Sequence, residues 1–263
     1  MNKQTNTALI LLFGSCAFLF GIIYLHNRHI DEIRTFERAG EVIHYQVLGK
    51  QNANPVILLH GNGGCHEHLS VMAEQLDSAG YLVYAMDSRG QGMNRPIGEY
   101  HYVDMAEDVA YLIQEENINH PAVFGWSDGG IIALQTEVLH PGTFSAICTS
   151  GANIFPEGVP NVHTLIPTTD SLGNPIELEP LQRMMLFEPQ MTAEDMQTIQ
   201  CKALIVAGEY DLIAEEHTRL IANHIPHGEL LILPGEDHGS HIWQNKKMGE
   251  IFIDWMKEAK VAK

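Results

Sequence analysis

Pro121-Ala122-Val123-Phe124-Gly125-Trp126-Ser127-Asp128-Gly129-Gly130 sets a short apolar run of strand type against a turn of small residues. From Gly129 to His140 the pattern turns helical, and Pro141 stops it. A serine between such a strand and such a helix, with glycine two places before and two places after, fits the G-x-S-x-G turn. Only small neighbours let the chain reverse sharply enough to lift the hydroxyl clear of the backbone. The pattern predicts a nucleophile at Ser127.

Outward from this turn, strand and helix signals alternate. Pro55-Val56-Ile57-Leu58-Leu59 is the continuous apolar run that a strand buried on both faces requires, and it ends in His60-Gly61-Asn62-Gly63-Gly64. A helix is expected from about His68 to Ala79, a strand over Tyr81–Met86, and a helix where Val103, Ala106, Val109, Leu112 and Ile113 recur at helical spacing. Further strands are expected at Phe144–Thr149, Ala203–Ala207 and Leu230–Leu233, with an earlier one at Val42–Val47 and an amphipathic segment from Ile242 to Met256. Such alternation predicts an α/β fold: a mostly parallel twisted sheet with helices on both faces, joined by right-handed crossovers. One domain over 39–263 is expected, interrupted at about 153–200 by proline-bearing, Met-rich sequence. That stretch is too long for an idle loop and reads as a lid over the active site, with short helices at Leu181–Leu186 and Thr192–Ile199.

A serine hydroxyl needs a base to take its proton and an acid to orient that base. Both are expected on loops that follow late strands. Asp211 follows the strand at Ala203–Ala207, and His238 follows the strand at Leu230–Leu233, so Ser127, Asp211 and His238 are the candidate catalytic residues, with Glu209 and His241 as competitors for acid and base. Acyl transfer also needs donors for a developing oxyanion. The backbone N–H of Asp128 is one candidate and that of Asn62 the other, with Gly63 as an alternative. Trp126 and Asp128, on either side of the nucleophile, are candidate substrate-binding residues. The chemistry needs no cofactor. Cys65-His66-Glu67-His68 holds metal-ligand types, but no second cluster supports it, so no metal site is expected.

Acidic residues outnumber basic ones 33 to 15, for a formal charge of −18, which leaves no basic stripe for phosphates and argues against a nucleic-acid partner. The 18 residues from Ala8 to Leu25 carry no charge, close to the length of a membrane span. They are too long for the apolar part of a cleaved signal peptide, and an uncleaved anchor fits better. Residues 1–38 are therefore expected to be an N-terminal membrane anchor and polar link that holds the domain at the membrane; Lys3 before the span and Arg28 and Arg34 after it leave either side open, with the extracytoplasmic one preferred. Cys65, Cys148 and Cys201 have no framework spacing and are expected to be free thiols.

His60-Gly61, Asp87-Ser88-Arg89-Gly90-Gln91-Gly92, Gly125-Trp126-Ser127-Asp128-Gly129-Gly130, Asp211 and His238 together resemble the α/β-hydrolase superfamily over roughly Val42 to Met256. In that superfamily the D-x-R-G-x-G segment ends in x-S, whereas Asn94 holds the serine's place here. Within it, Gly-Trp-Ser-Asp-Gly-Gly resembles valacyclovir hydrolase-like members, and the oxyanion loop and lid resemble bacterial carboxylesterases. The resemblance implies a serine esterase of a small ester or amide. By the first of these likenesses it also implies that Asp128 recognises the α-ammonium group of an amino-acid ester. Asp128 also begins a helix, where a negative charge complements the dipole and steadies the turn, so both readings stand. The other activities left open are an aminopeptidase of the proline iminopeptidase kind and a non-catalytic binding protein that reuses the fold.

Overall fold

The computed structural model describes residues 28–259. Its strands are β1 (His29–Arg38), β2 (Glu41–Lys50), β3 (Asn54–Leu59), β4 (Tyr81–Met86), β5 (Ala122–Trp126), β6 (Ala146–Ser150), β7 (Lys202–Tyr210) and β8 (Gly228–Asp237). Between and after them lie α1 (Ser70–Ser78), α2 (Tyr102–Glu115), α3 (Asp128–Leu139), α4 (Val162–Leu165), α5 (Pro180–Phe187), α6 (Ala193–Met196), α7 (Glu215–His224) and α8 (Lys247–Glu258). The strands form one sheet in the order β1-β2-β4-β3-β5-β6-β7-β8. All neighbours from β4 onward are parallel, while β1–β2 and β2–β4 are antiparallel. This is the mostly parallel, doubly covered sheet of the α/β-hydrolase fold.

Residues 29–38, read from sequence as a polar link, form the edge strand β1. Its partner β2 is reached through Ala39 and Gly40, whose φ of 53° and 84° give the two left-handed residues of a tight hairpin turn. The polar composition suits an edge strand with one solvated face: only Ile30 and Phe36 are fully buried.

The core lies on both faces of the sheet because successive side chains of each strand point to opposite sides. Ile57, Leu59, Val123, Ile147 and Ile205 pack with Met105 and Val109 of α2 and Ile221 of α7. The alternate residues Val56, Leu58, Phe124, Cys148, Leu204 and Val206 pack with Met72 and Leu76 of α1 and Phe252 and Met256 of α8. Each fully buried large side chain contributes about 1.5–3 kcal/mol relative to its exposed state. Between β6 and β7 the chain leaves the sheet and builds α4, α5 and α6, with a small apolar cluster of its own from Val162, Ile166 and Leu186.

The expectation of a membrane anchor and a membrane location is corrected here. Among the described residues no helix is long and apolar enough to cross a membrane. The longest of them, α2, has 14 residues, or about 21 Å at 1.5 Å per residue, against a hydrocarbon core about 30 Å thick. The stretch 8–25, on which that expectation rested, lies outside the described residues.

The strand order places the site. β3 is flanked by β4 on one side and β5 on the other, so the crossovers leaving β3 and β5 run to opposite sides of the sheet. A crevice opens at such a switch point, beyond the carboxyl ends of the strands. The loop 60–64 and Ser127 sit at those two ends.

Candidate active site

Ser127 has φ 55° and ψ −117°, a conformation that L side chains rarely adopt, at the junction of β5 and α3. Packing of the turn against the sheet permits only glycine beside it. A Cβ on Gly129 would lie 2.1 Å from the Leu59 carbonyl oxygen, and one on Gly125 would lie 2.2 Å from that of Gly129. The turn therefore nests against β3 while the Ser127 hydroxyl, half-buried, faces the loops that follow β7 and β8.

Those loops bring Asp211 and His238 to it. His238 Nε2 is 3.0 Å from Ser127 Oγ, and His238 Nδ1 is 2.7 Å from Asp211 Oδ1. The Asp211 side chain is 1% exposed. Burial pushes its carboxyl upward, but hydrogen bonds from His238 and from the backbone N–H groups of Ile213 and Gly208 outweigh that and hold it below the ordinary value. A carboxylate so held fixes the proton of His238 on Nδ1 and leaves Nε2 free to accept from Ser127. Gly151, at φ 68°, faces the imidazole, and a Cβ there would come within 2.6 Å of His238 Cε1.

The competitors lie elsewhere. Glu209 Oε2 accepts the Gly235 N–H at 2.7 Å and bridges the carboxyl ends of β7 and β8. His241 is fully buried and its Nε2 is 2.8 Å from Ser150 Oγ. Trp126 donates its indole N–H to the His238 carbonyl at 2.8 Å, which secures the loop carrying the imidazole, and Trp243 meets its ring edge-on at 6.4 Å.

On the other side of Ser127 lies the loop after β3. His60 is buried there; its Nδ1 is 2.7 Å from the Gly61 carbonyl oxygen, and its Nε2 accepts the Ser88 N–H at 3.0 Å. Burial pushes its pKa down, which keeps the ring neutral with its proton on Nδ1. The Gly63 N–H is already taken, donating to Gln91 Oε1 at 2.7 Å. Among the described residues no acceptor faces the backbone N–H of Asn62 or of Asp128. Those two groups are thus available to an incoming oxygen beside Ser127.

Asp128 is 3% exposed and both of its carboxylate oxygens are occupied: Tyr102 donates to Oδ1 at 2.8 Å and the Asn62 side-chain amide to Oδ2 at 2.8 Å. Burial raises its pKa, and these two bonds only partly offset that. Sequence reasoning missed Tyr102 and Gln91. Gln91 stood inside the Asp87–Gly92 motif and was legible as a loop residue, whereas nothing in the sequence pairs Tyr102 with Asp128. Asn94, in the serine's place of that motif, donates to the carbonyls of Asp87 and Ser88 and accepts the His44 N–H, so the substitution preserves the loop. His66 of the 65–68 cluster is tied to Asp87 through both its N–H and its Nδ1.

A sequence model described as the alpha/beta hydrolase fold matches residues 54–196, the span that carries β3, the loop 60–64 and the Ser127 turn. The chain belongs to the α/β-hydrolase family. Human serine hydrolase BPHL is 26% identical over 245 residues, 83% of this chain and 84% of that protein. The AB hydrolase superfamily protein YisY of Bacillus subtilis is 32% identical over 92 residues, 35% of this chain and 34% of that protein. Among solved structures, a carboxylesterase of Nitrososphaera gargenis superposes with a TM-score of 0.71 at 19% identity, covering 87% of this chain and 99% of that one. A thermophilic esterase of Thermogutta terrifontis gives 0.68 at 18% identity, covering 88% and 99%. At these identities the structural likenesses speak for the fold. As an α/β-hydrolase with these relatives, the chain is a hydrolase.

Proposed function

We propose that this hydrolase cleaves a small carboxylic ester through an acyl-enzyme on Ser127. The observation that supports this best is the continuous pair of contacts from Ser127 Oγ to His238 Nε2 and from His238 Nδ1 to Asp211 Oδ1. In the first half-reaction Ser127 Oγ attacks the ester carbonyl as its proton passes to His238 Nε2, and the N–H groups of Asn62 and Asp128 receive the oxyanion. His238 then returns the proton to the leaving alcohol as the C–O bond breaks. Water, deprotonated by the same imidazole, releases the acid and restores Ser127.

The ammonium-binding reading of Asp128 gains little from its surroundings, because its two oxygens already accept from Tyr102 and Asn62 and the side chain is buried. The proposed acyl group therefore needs no α-amino function. Labelling with a fluorophosphonate probe, compared between the native protein and Ser127→Ala, tests the reading. Labelling lost in the variant is the expected result, and equal labelling would overturn it. A panel of short acyl esters, N-terminal peptides and α-amino esters then separates an esterase from an aminopeptidase. Stoichiometric binding of an ester without turnover would favour a binding protein.

A further inference from the structure

We infer that Asp128 is a positioning residue whose carboxylate, buried beside the nucleophile, holds the oxyanion loop in register with Ser127 by fixing the side chain of Asn62. The inference rests on the esterase reading above and assigns Asp128 a task within it. Asn62 sits in a glycine-flanked loop, between Gly61 and Gly63, with Gly63 at φ 65°. Such a backbone has little intrinsic preference for one conformation. Two side chains fix it from outside: Gln91 Oε1 accepts the Gly63 N–H, and Asp128 Oδ2 accepts from Asn62 Nδ2. The second contact joins the residues whose backbone N–H groups would flank the oxyanion, so a hydrogen bond between their own side chains ties the two donors together.

Asp128 is itself held from behind. Tyr102, 2% exposed, donates its hydroxyl to Oδ1, and the backbone of Tyr102 at the start of α2 donates to Glu188 Oε2 at 3.0 Å. Glu188 Oε1 also lies 2.6 Å from His101 Nδ1. The segment that leaves the sheet between β6 and β7 thereby anchors the base of the same chain of contacts. A neutral apolar residue at 128 would leave the buried Tyr102 hydroxyl and the half-buried Asn62 amide without this acceptor, and the loop would shift to satisfy them.

The test is an exchange of the two side chains, with hydrolysis of a neutral ester and the rate of fluorophosphonate labelling as readouts. Asp128→Asn places an amide nitrogen against one of the two donors, and Asn62→Asp places two carboxylates face to face. Each is expected to lower kcat and the labelling rate by about 10- to 100-fold, the scale of a loop displaced by about 1 Å, with KM changed little. In the Asn62→Asp/Asp128→Asn double variant one N–H···O bond again bridges the two positions, with the carboxylate now on the loop, and Tyr102 keeps an acceptor. Recovery of kcat to within a few-fold of the native protein is the expected result. A double variant no faster than the slower single variant would overturn the inference, as would an Asp128→Asn loss confined to KM for α-amino esters. Native protein that neither labels nor turns over would overturn the esterase reading, and the inference with it, whereas native labelling with unchanged rates in every variant overturns the inference alone.

Discussion

The backbone N–H of Ser127 donates to the carbonyl of Ser150 at 2.8 Å, and the Ser127 carbonyl in turn accepts from Gly130 and Ile131. These bonds hold the residue at φ 55° and ψ −117° against its own steric preference. A conformation of this kind costs about 1–3 kcal/mol for a residue with a Cβ, while glycine at the same place loses about 0.5–1 kcal/mol through its freer unfolded chain. Ser127→Gly should therefore be the more stable protein by about 1 kcal/mol, which raises the melting temperature by about 2–4 °C in a domain of this size. Ser127→Ala keeps the strain and should melt close to the native protein. Differential scanning calorimetry of the three proteins checks this, and a glycine variant that melts no higher than the alanine variant would refute the strain.

In the proposed reaction Asp211 acts on Ser127 through the imidazole of His238, which lies between them. Asp211→Asn is nearly isosteric, so folding should be retained, but its amide cannot accept the Nδ1 proton in the same orientation and favours the tautomer with Nε2 protonated. Turnover of a neutral ester should fall on the order of 10⁴-fold with KM nearly unchanged. Steady-state kinetics at pH 7 to 8 measures it. A loss below about tenfold would mean that another group orients His238.

The parts of the site that follow from local chain geometry were legible in the sequence, and those that depend on long-range pairing were not. Ser127 announces itself because a strained turn tolerates only glycine at 125 and 129, and Asp211 and His238 because each follows an apolar strand run. Asn62 was separable from Gly63 only once Gln91 was seen to occupy the Gly63 N–H. Nothing local marks Tyr102, whose partners Asp128 and Glu188 are 26 and 86 residues away. The strand β1 was read as a link because an edge strand with one wet face has few apolar residues, and Ile30 and Phe36 alone do not make a period. Helix α7 was passed over for a similar reason: its buried face is His217, Thr218, Ile221 and Ala222, of which two are polar.

His217 predicts a pH dependence of stability. Its ring is buried against Phe155, Nε2 accepts the Ile154 N–H at 2.9 Å, and burial, only partly opposed by Glu157, pushes its pKa down to about 4. Between that value and the unfolded value of about 6.5, the unfolded chain binds a proton that the folded one does not. Stability therefore rises with pH across this window and is lost as pH falls through it, by up to about 3 kcal/mol. His217→Gln keeps an acceptor for Ile154 and does not titrate. Melting temperatures from pH 4 to 7 should fall more steeply toward acid in the native protein than in this variant; parallel curves would mean that His217 is not the group responsible.

The carboxylate of Asp108 is fully buried and accepts Arg89 through two bonds, from Nε at 2.7 Å and a terminal nitrogen at 2.6 Å, while Arg38 adds a third at 3.0 Å. Arg89 is itself 5% exposed, so removing the carboxylate leaves a buried guanidinium whose remaining ion-pair partner is Asp104, at 3.9 Å and half-exposed. Asp108→Ala should cost about 3–5 kcal/mol, read as a lower urea midpoint at an unchanged slope. The half-exposed pair of Glu32 and Arg34 offers the contrast, because Glu32→Ala removes an ion pair partly screened by solvent and leaves Arg34 paired with Glu116, and should cost no more than about 1 kcal/mol. Arg89 lies two residues before Gln91, which holds Gly63, so the same Asp108 variant should also slow ester turnover at temperatures where it remains folded. A variant destabilised as expected but catalytically unchanged would place the ion pair in the scaffold alone and leave the oxyanion loop to Gln91 and Asp128.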